Sequence, residues 1–130
     1  MSFNTRTSSL AQDNLFAGKY PDVEEGGTLI TGQNLTRGTV LGLITASGKL
    51  SIFDTANADG TEIPYGVLLE STDATAADEV CPVAVSGKFQ IDALTAGGTT
   101  DLSIAAVQKL LRAVNLYTVD SVDAQVRVAD

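Results

Sequence analysis

Four glycines within one short run, Gly32, Gly38, Gly42 and Gly48, set the strongest constraint on how this chain can fold. Between them stand Val40, Leu41, Leu43 and Ile44, which want burial, and the turn formers Asn34, Thr36 and Ser47. Glycine accepts positive φ and lets another backbone come close, so the pattern reads as turn, strand, turn. No residue of the run suits chemistry. A chain that commits its best-specified segment to turns and packing is expected to be a scaffold.

The β pattern continues on both sides of that run. Short apolar segments at 28–31, 38–46, 49–53, 63–70, 79–85 and 89–91 read as strands. Two Ser-Gly-Lys triplets, Ser47-Gly48-Lys49 and Ser86-Gly87-Lys88, read as hairpin turns, and 54–62 and 71–78 as polar loops. A Gly97-Gly98 linker over 95–100 then precedes Asp101, which is placed to cap a helix running to about Val114. Leu102, Ala105, Ala106, Leu110 and Val114 are expected to share its buried face. Lys109 and Arg112 sit near its C-terminus, as the helix dipole prefers, and Asn115 is expected to stop it in the left-handed region. A last strand is expected over 116–119. Beyond it, Val122, Ala124, Val126 and Val128 alternate with polar residues, as in an edge strand or a partner-binding tail.

Residues 1–27 differ from all of this. They are rich in Ser, Thr, Asn and Gly, and they have neither helical nor strand periodicity. Phe3, Leu10, Leu15, Phe16, Tyr20, Pro21 and Val23 are spaced along them, a pattern that favours docking residues of an extended arm, ending at Glu24-Glu25-Gly26-Gly27, over a flexible leader without a role. The fold class is therefore mainly β (α+β), with one short C-terminal helix. A single domain over 28–130 follows an N-terminal arm over 1–27.

Composition narrows the function. The net charge of −8 repels phosphate backbones, and the eight bases are scattered singly, so nucleic acid is not an expected partner. No apolar stretch approaches the ~20 residues of a membrane helix. The first six residues lack the basic-then-apolar pattern of a signal peptide, so synthesis in a cytoplasm is expected. With no Trp and only four Phe, the core must come from Val, Leu, Ile and Ala, and oligomerisation would supply the missing burial.

Candidate chemistry is weak. Histidine is absent, which removes the commonest general base and metal ligand. The lone Cys81 lies in the apolar run Val80-Cys81-Pro82-Val83 and reads as a buried, inert thiol. The loop from Asp54 to Gly60 superficially matches a calcium loop, with Thr55, Asn57, Asp59 and Gly60 at the first, third, fifth and sixth positions. Its first ligand should be Asp, however, and its twelfth position is Gly66 where Glu is needed. A polar turn is the better account. Adjacent Ser and Lys on one turn rarely aim at each other, so a Ser–Lys hydrolase is disfavoured too. No catalytic residue, metal or cofactor is expected.

The run from Asp13 to Pro21 (Asp-Asn-Leu-Phe-Ala-Gly-Lys-Tyr-Pro), followed by Gly32-Gln33-Asn34-Leu35-Thr36-Arg37-Gly38-Thr39-Val40-Leu41-Gly42, resembles the phage head decoration proteins of the lambda type. Ile44-Thr45-Ala46-Ser47-Gly48-Lys49, Tyr65-Gly66-Val67-Leu68-Leu69-Glu70, Asp73-Ala74-Thr75 and the stretch Leu110-Leu111-Arg112-Ala113-Val114-Asn115-Leu116-Tyr117 follow in the same order, so the likeness spans about residues 13–118. It implies a β-clip fold and a homotrimer on local three-fold sites of an expanded capsid, on its outer surface. It also implies partnership with the phage major capsid protein through the arm. Core and trimer contacts are then expected on the apolar β surface that includes Val40, Leu41, Ile44, Ile52, Phe53, Tyr65 and Val67. The competing reading is a non-viral β-structured interaction or carrier module. Such a module needs a lysine displayed at a hairpin tip, whereas Lys49 and Lys88 each follow Ser-Gly.

Overall fold

The computed structural model describes Leu15, residues 23–98 and residues 100–119. The tail alternation at 122–128 and the docking residues Phe3, Leu10, Phe16, Tyr20 and Pro21 lie outside the described residues. The strands are β1 (Val23–Leu29), β2 (Asn34–Leu35), β3 (Val40–Leu43), β4 (Leu50–Ile52), β5 (Pro64–Leu68), β6 (Thr72–Asp73), β7 (Glu79–Gln90) and β8 (Leu116–Val119). Among the described residues, one α-helix, α1, spans Ala105–Ala113, and one 3-10 turn spans Ile91–Ala93. The fold is mainly β with one short C-terminal helix, as the sequence predicts.

The principal sheet runs β1-β4-β3-β5-β7, and β7 pairs back onto β1, so five strands close into a ring. Strand β8 lies outside the ring, parallel to β7 from Gly87 to Gln90. Strands β2 and β6 make a separate two-stranded ribbon. Closure explains why the chain has two cores. Successive side chains on a strand point to opposite faces, and adjacent residues here do enter different clusters. Leu29, Leu50, Leu41, Leu68 and Val83 contribute one residue from each ring strand to the cluster inside. Val40, Phe53, Val67 and Phe89 belong to a second cluster with Val107, Leu111 and Leu116, outside the ring and beneath the helix.

The glycines of the opening run do what their spacing predicts. Gly48 turns β3 into β4 at φ +75°, with its N–H donating to the Ile44 carbonyl at 2.8 Å. Gly42 has a different role: a Cβ there would lie 2.5 Å from the Thr61 Cα, so two backbones touch where β3 bulges against β5.

Four expectations need correction. The strand predicted at Thr28 begins at Val23, because Glu24-Glu25-Gly26-Gly27 pairs along β7 rather than ending an arm. Pairing with a long neighbour overrides the poor strand propensity of Glu and Gly. Ser86-Gly87-Lys88 makes no hairpin; β7 passes straight through it for twelve residues. The buried Gly87 marks a change of partner from β1 to β8, and its N–H donates to the Asn115 carbonyl at 3.1 Å. The 95–100 linker is fastened to the body, with Thr95 bridged to Thr39 and the Gly97 N–H donating to the Phe53 carbonyl at 2.7 Å.

The fourth concerns the helix. It starts at Ala105, with Ile104 as its N-cap. Asp101 instead closes a preceding turn, accepting from the Ser103 N–H at 2.9 Å and from its hydroxyl at 2.6 Å. Its buried face is Val107 and Leu111, while Ala105, Ala106 and Leu110 are exposed. Asn115 ends the segment at φ +67°, as expected.

Candidate interaction surface

The described residues among those assigned to docking and to trimer contacts fall in three different environments. Leu15 is 2% exposed inside the outer cluster, and its carbonyl accepts from the Gln90 N–H at 2.8 Å. It therefore plugs the chain's own core and offers no face to a capsid. Val23 is exposed at the start of β1. Val40, Leu41, Phe53 and Val67 are each 0% exposed, so they are core and have no surface left for a second subunit. Ile44, Ile52 and Tyr65 are half-buried. Tyr65 donates its phenol proton to the Glu25 carboxylate, which together with burial holds the phenol above its ordinary pKa.

The polar loops are occupied by their own hydrogen bonds. Asp59, Asp73 and Asp101 each accept from the amide and from the hydroxyl of the residue two positions on, Thr61, Thr75 and Ser103 respectively. This Asp-x-Thr/Ser spacing is legible in the sequence as three self-closed turns. The hydroxyl first, then the amide, holds each carboxyl below its usual value. In the 54–60 loop, Asp54 Oδ1 accepts from the Ala56 N–H at 3.0 Å, and the Asn57 amide donates to Thr61. That is a polar turn. Among the described residues no group of three His, Cys, Asp or Glu side chains could hold a metal ion. Cys81 is buried, and desolvation raises its thiol pKa. Nor is any helix among the described residues long and apolar enough to cross a membrane.

These turns carry an acid-limb prediction. A carboxylate held low in the folded state adds stability above its unfolded pKa, near ~3.9, and that contribution is lost as pH falls toward the folded value. The Asp59→Asn, Asp73→Asn, Asp101→Asn triple variant should therefore lose less stability than the parent on going from pH 5 to about pH 2. Denaturant midpoints across that range read it; parallel curves would contradict the assigned turns.

What remains is surface. A cleft of about 790 Å³ lies between the 3-10 turn, the 100–103 loop, α1 and β8, lined by Ile91, Leu94, Leu102, Gln108 and Thr118 among others. A shallower groove of about 360 Å³ runs over β1 and β7, between Glu24, Gly26, Val80 and Pro82. Val80 is 78% exposed, the most open of the large apolar side chains described, followed by Ile63, Val23, Ile104 and Leu110. Of these, only Val23 was singled out from sequence as a docking residue. The missed signal was the parity of β7, which puts Cys81 and Val83 inside and Val80 outside.

The described residues thus present a closed β ring with hydrogen-bonded loops and several uncovered apolar side chains. The family model described as bacteriophage lambda head decoration protein D matches residues 5–116. This chain belongs to that family, whose members are structural phage proteins associated with the capsid of the virion. No curated protein matches the chain.

Proposed function

We propose that this protein is a head decoration, or cement, protein that binds the outer surface of an expanded phage capsid as a homotrimer at local three-fold sites. There it stabilises the shell against the pressure of packaged DNA. Family membership over most of the chain is the observation that carries this reading. The arm belongs to it as well, with a new boundary. Since Leu15 is seated in the core and β1 begins at Val23, the part available to reach a neighbouring shell subunit is residues 1–14. Fully extended, those residues span at most ~50 Å.

Ordering such an arm costs ~1–2 kcal/mol per residue, so one arm alone binds weakly. Three arms on one trimer engage together, the second and third at effective concentrations near ~1 mM. Avidity then makes a clamp from weak contacts. Deleting residues 2–12 should leave a folded trimer whose affinity for expanded empty capsids falls more than ~100-fold. Sedimentation gives the oligomeric state, and co-pelleting with capsids gives the affinity. A shortened protein that decorates shells like the full chain would sink the clamp.

A further inference from the structure

Helix α1 is apolar on two sides, and its own chain covers one of them. Six of its nine residues, Ala-Ala-Val-Gln-Lys-Leu-Leu-Arg-Ala, are apolar. Val107 and Leu111 face the outer core. Ala106, Leu110 and Ala113, at the i, i+4, i+7 spacing of a second stripe, are exposed. The apolar surface of a helix is normally covered by a partner. The exposed stripe forms a ridge in which Leu110 stands between two alanines, small enough to let another backbone approach. Lys109 lies beside it, Arg112 follows, and no acidic residue occurs anywhere from Leu102 to Val119.

The groove over β1 and β7 is its counterpart in shape and charge. On the outward face of that ribbon, Gly26 stands opposite Pro82 and Thr28 opposite Val80. A Cβ added at Gly26 would meet nothing within 4 Å, so the floor is open backbone, walled by the exposed Val80. Glu24 and Glu25 line the same groove. One surface is a basic-flanked apolar ridge; the other is an acid-flanked apolar groove.

We propose that the Ala106-Leu110-Ala113 ridge of one copy seats in the Gly26-Val80-Pro82 groove of a second copy of this chain, with Lys109 steered toward Glu24. The inference rests on the homotrimer reading above and supplies its contact. Joining two unlike surfaces is a head-to-tail contact, which forms a closed ring when the rotation between copies is a third of a turn.

The test uses the full chain in analytical ultracentrifugation, with circular dichroism to verify folding. Gly26→Leu fills the groove from a position with room for a side chain, and Leu110→Glu places a charge on the ridge at a surface position. Each should weaken assembly about 30-fold or more, as loss of a central interface contact does. Lys109→Glu should weaken it less, and adding Glu24→Lys should restore it. Mixing the Gly26→Leu and Leu110→Glu proteins gives the sharpest readout. One retains a sound ridge and the other a sound groove, so they should form 1:1 pairs that cannot close into trimers. A trimeric parent whose single variants assemble unchanged would overturn this contact and leave the trimer reading intact. A monomeric parent would overturn both.

Discussion

Phe53→Ala is expected to lower the free energy of unfolding by about 3–5 kcal/mol, read as a fall in denaturant midpoint at unchanged slope. The side chain is 0% exposed in the outer cluster, among Val40, Val67, Phe89 and Leu111. Those neighbours cannot close over the void, because the backbone on either side is tied down. The Phe53 N–H donates to the Val40 carbonyl at 2.8 Å, and the Phe53 carbonyl accepts from Gly97 at 2.7 Å. Domains of this kind have total stabilities of ~5–15 kcal/mol, so the loss removes a large share of what holds the fold. Ile63→Ala supplies the control: at 54% exposure its truncation should cost under ~0.5 kcal/mol. A loss below ~1 kcal/mol at Phe53 would mean that this residue does not bridge the ring and the 95–100 segment.

Where the sequence was legible, local chemistry alone decided the structure. Gly48 and Asn115 stand at positive φ because a tight turn and a helix stop require it, and both were readable as such. Where it was not, a distant partner decided. The same Ser-Gly-Lys triplet is a turn at 47–49 and the middle of a strand at 86–88, since only the second is flanked by β1 and β8. Helix α1 presents two apolar stripes, so periodicity could not choose between Val107-Leu111 and Ala106-Leu110. Packing against β8 chose the first. The burial of Leu15 was hidden for a similar reason. Leu15 looks like any other isolated leucine in a polar leader until Gln90 of β7 fixes its carbonyl. The family was legible earlier than the contacts, because an ordered series of turn motifs survives in sequence, whereas which face of a strand is outermost depends on how the ring closes.

Gly38→Ala is expected to cost more than ~3 kcal/mol, while Gly48→Ala costs only ~1–2 kcal/mol, although both glycines occupy the left-handed region. At Gly48 (φ +75°) a Cβ would point into open space, so backbone strain is the whole penalty. At Gly38 (φ +96°) the same strain applies, and the added Cβ would also overlap the carbonyl oxygen of Ala93. Relief by backbone movement is blocked from both ends. The Gly38 N–H donates to the Leu68 carbonyl at 2.8 Å, and the Gly38 carbonyl accepts from the Thr95 N–H at 3.0 Å. Shifting residue 38 would thus break the link between β5, the 3-10 turn and the 95–100 segment, which contribute Val67, Ala93 and Ala96 to the outer cluster. Thermal or denaturant unfolding of the two variants side by side separates the effects. Equal losses would mean that positive φ alone accounts for both and that the approach of Gly38 to Ala93 adds nothing; a gap of ~2 kcal/mol or more, with Gly38→Ala the weaker protein, places a backbone-to-backbone contact at the joint between the ring and the 3-10 turn.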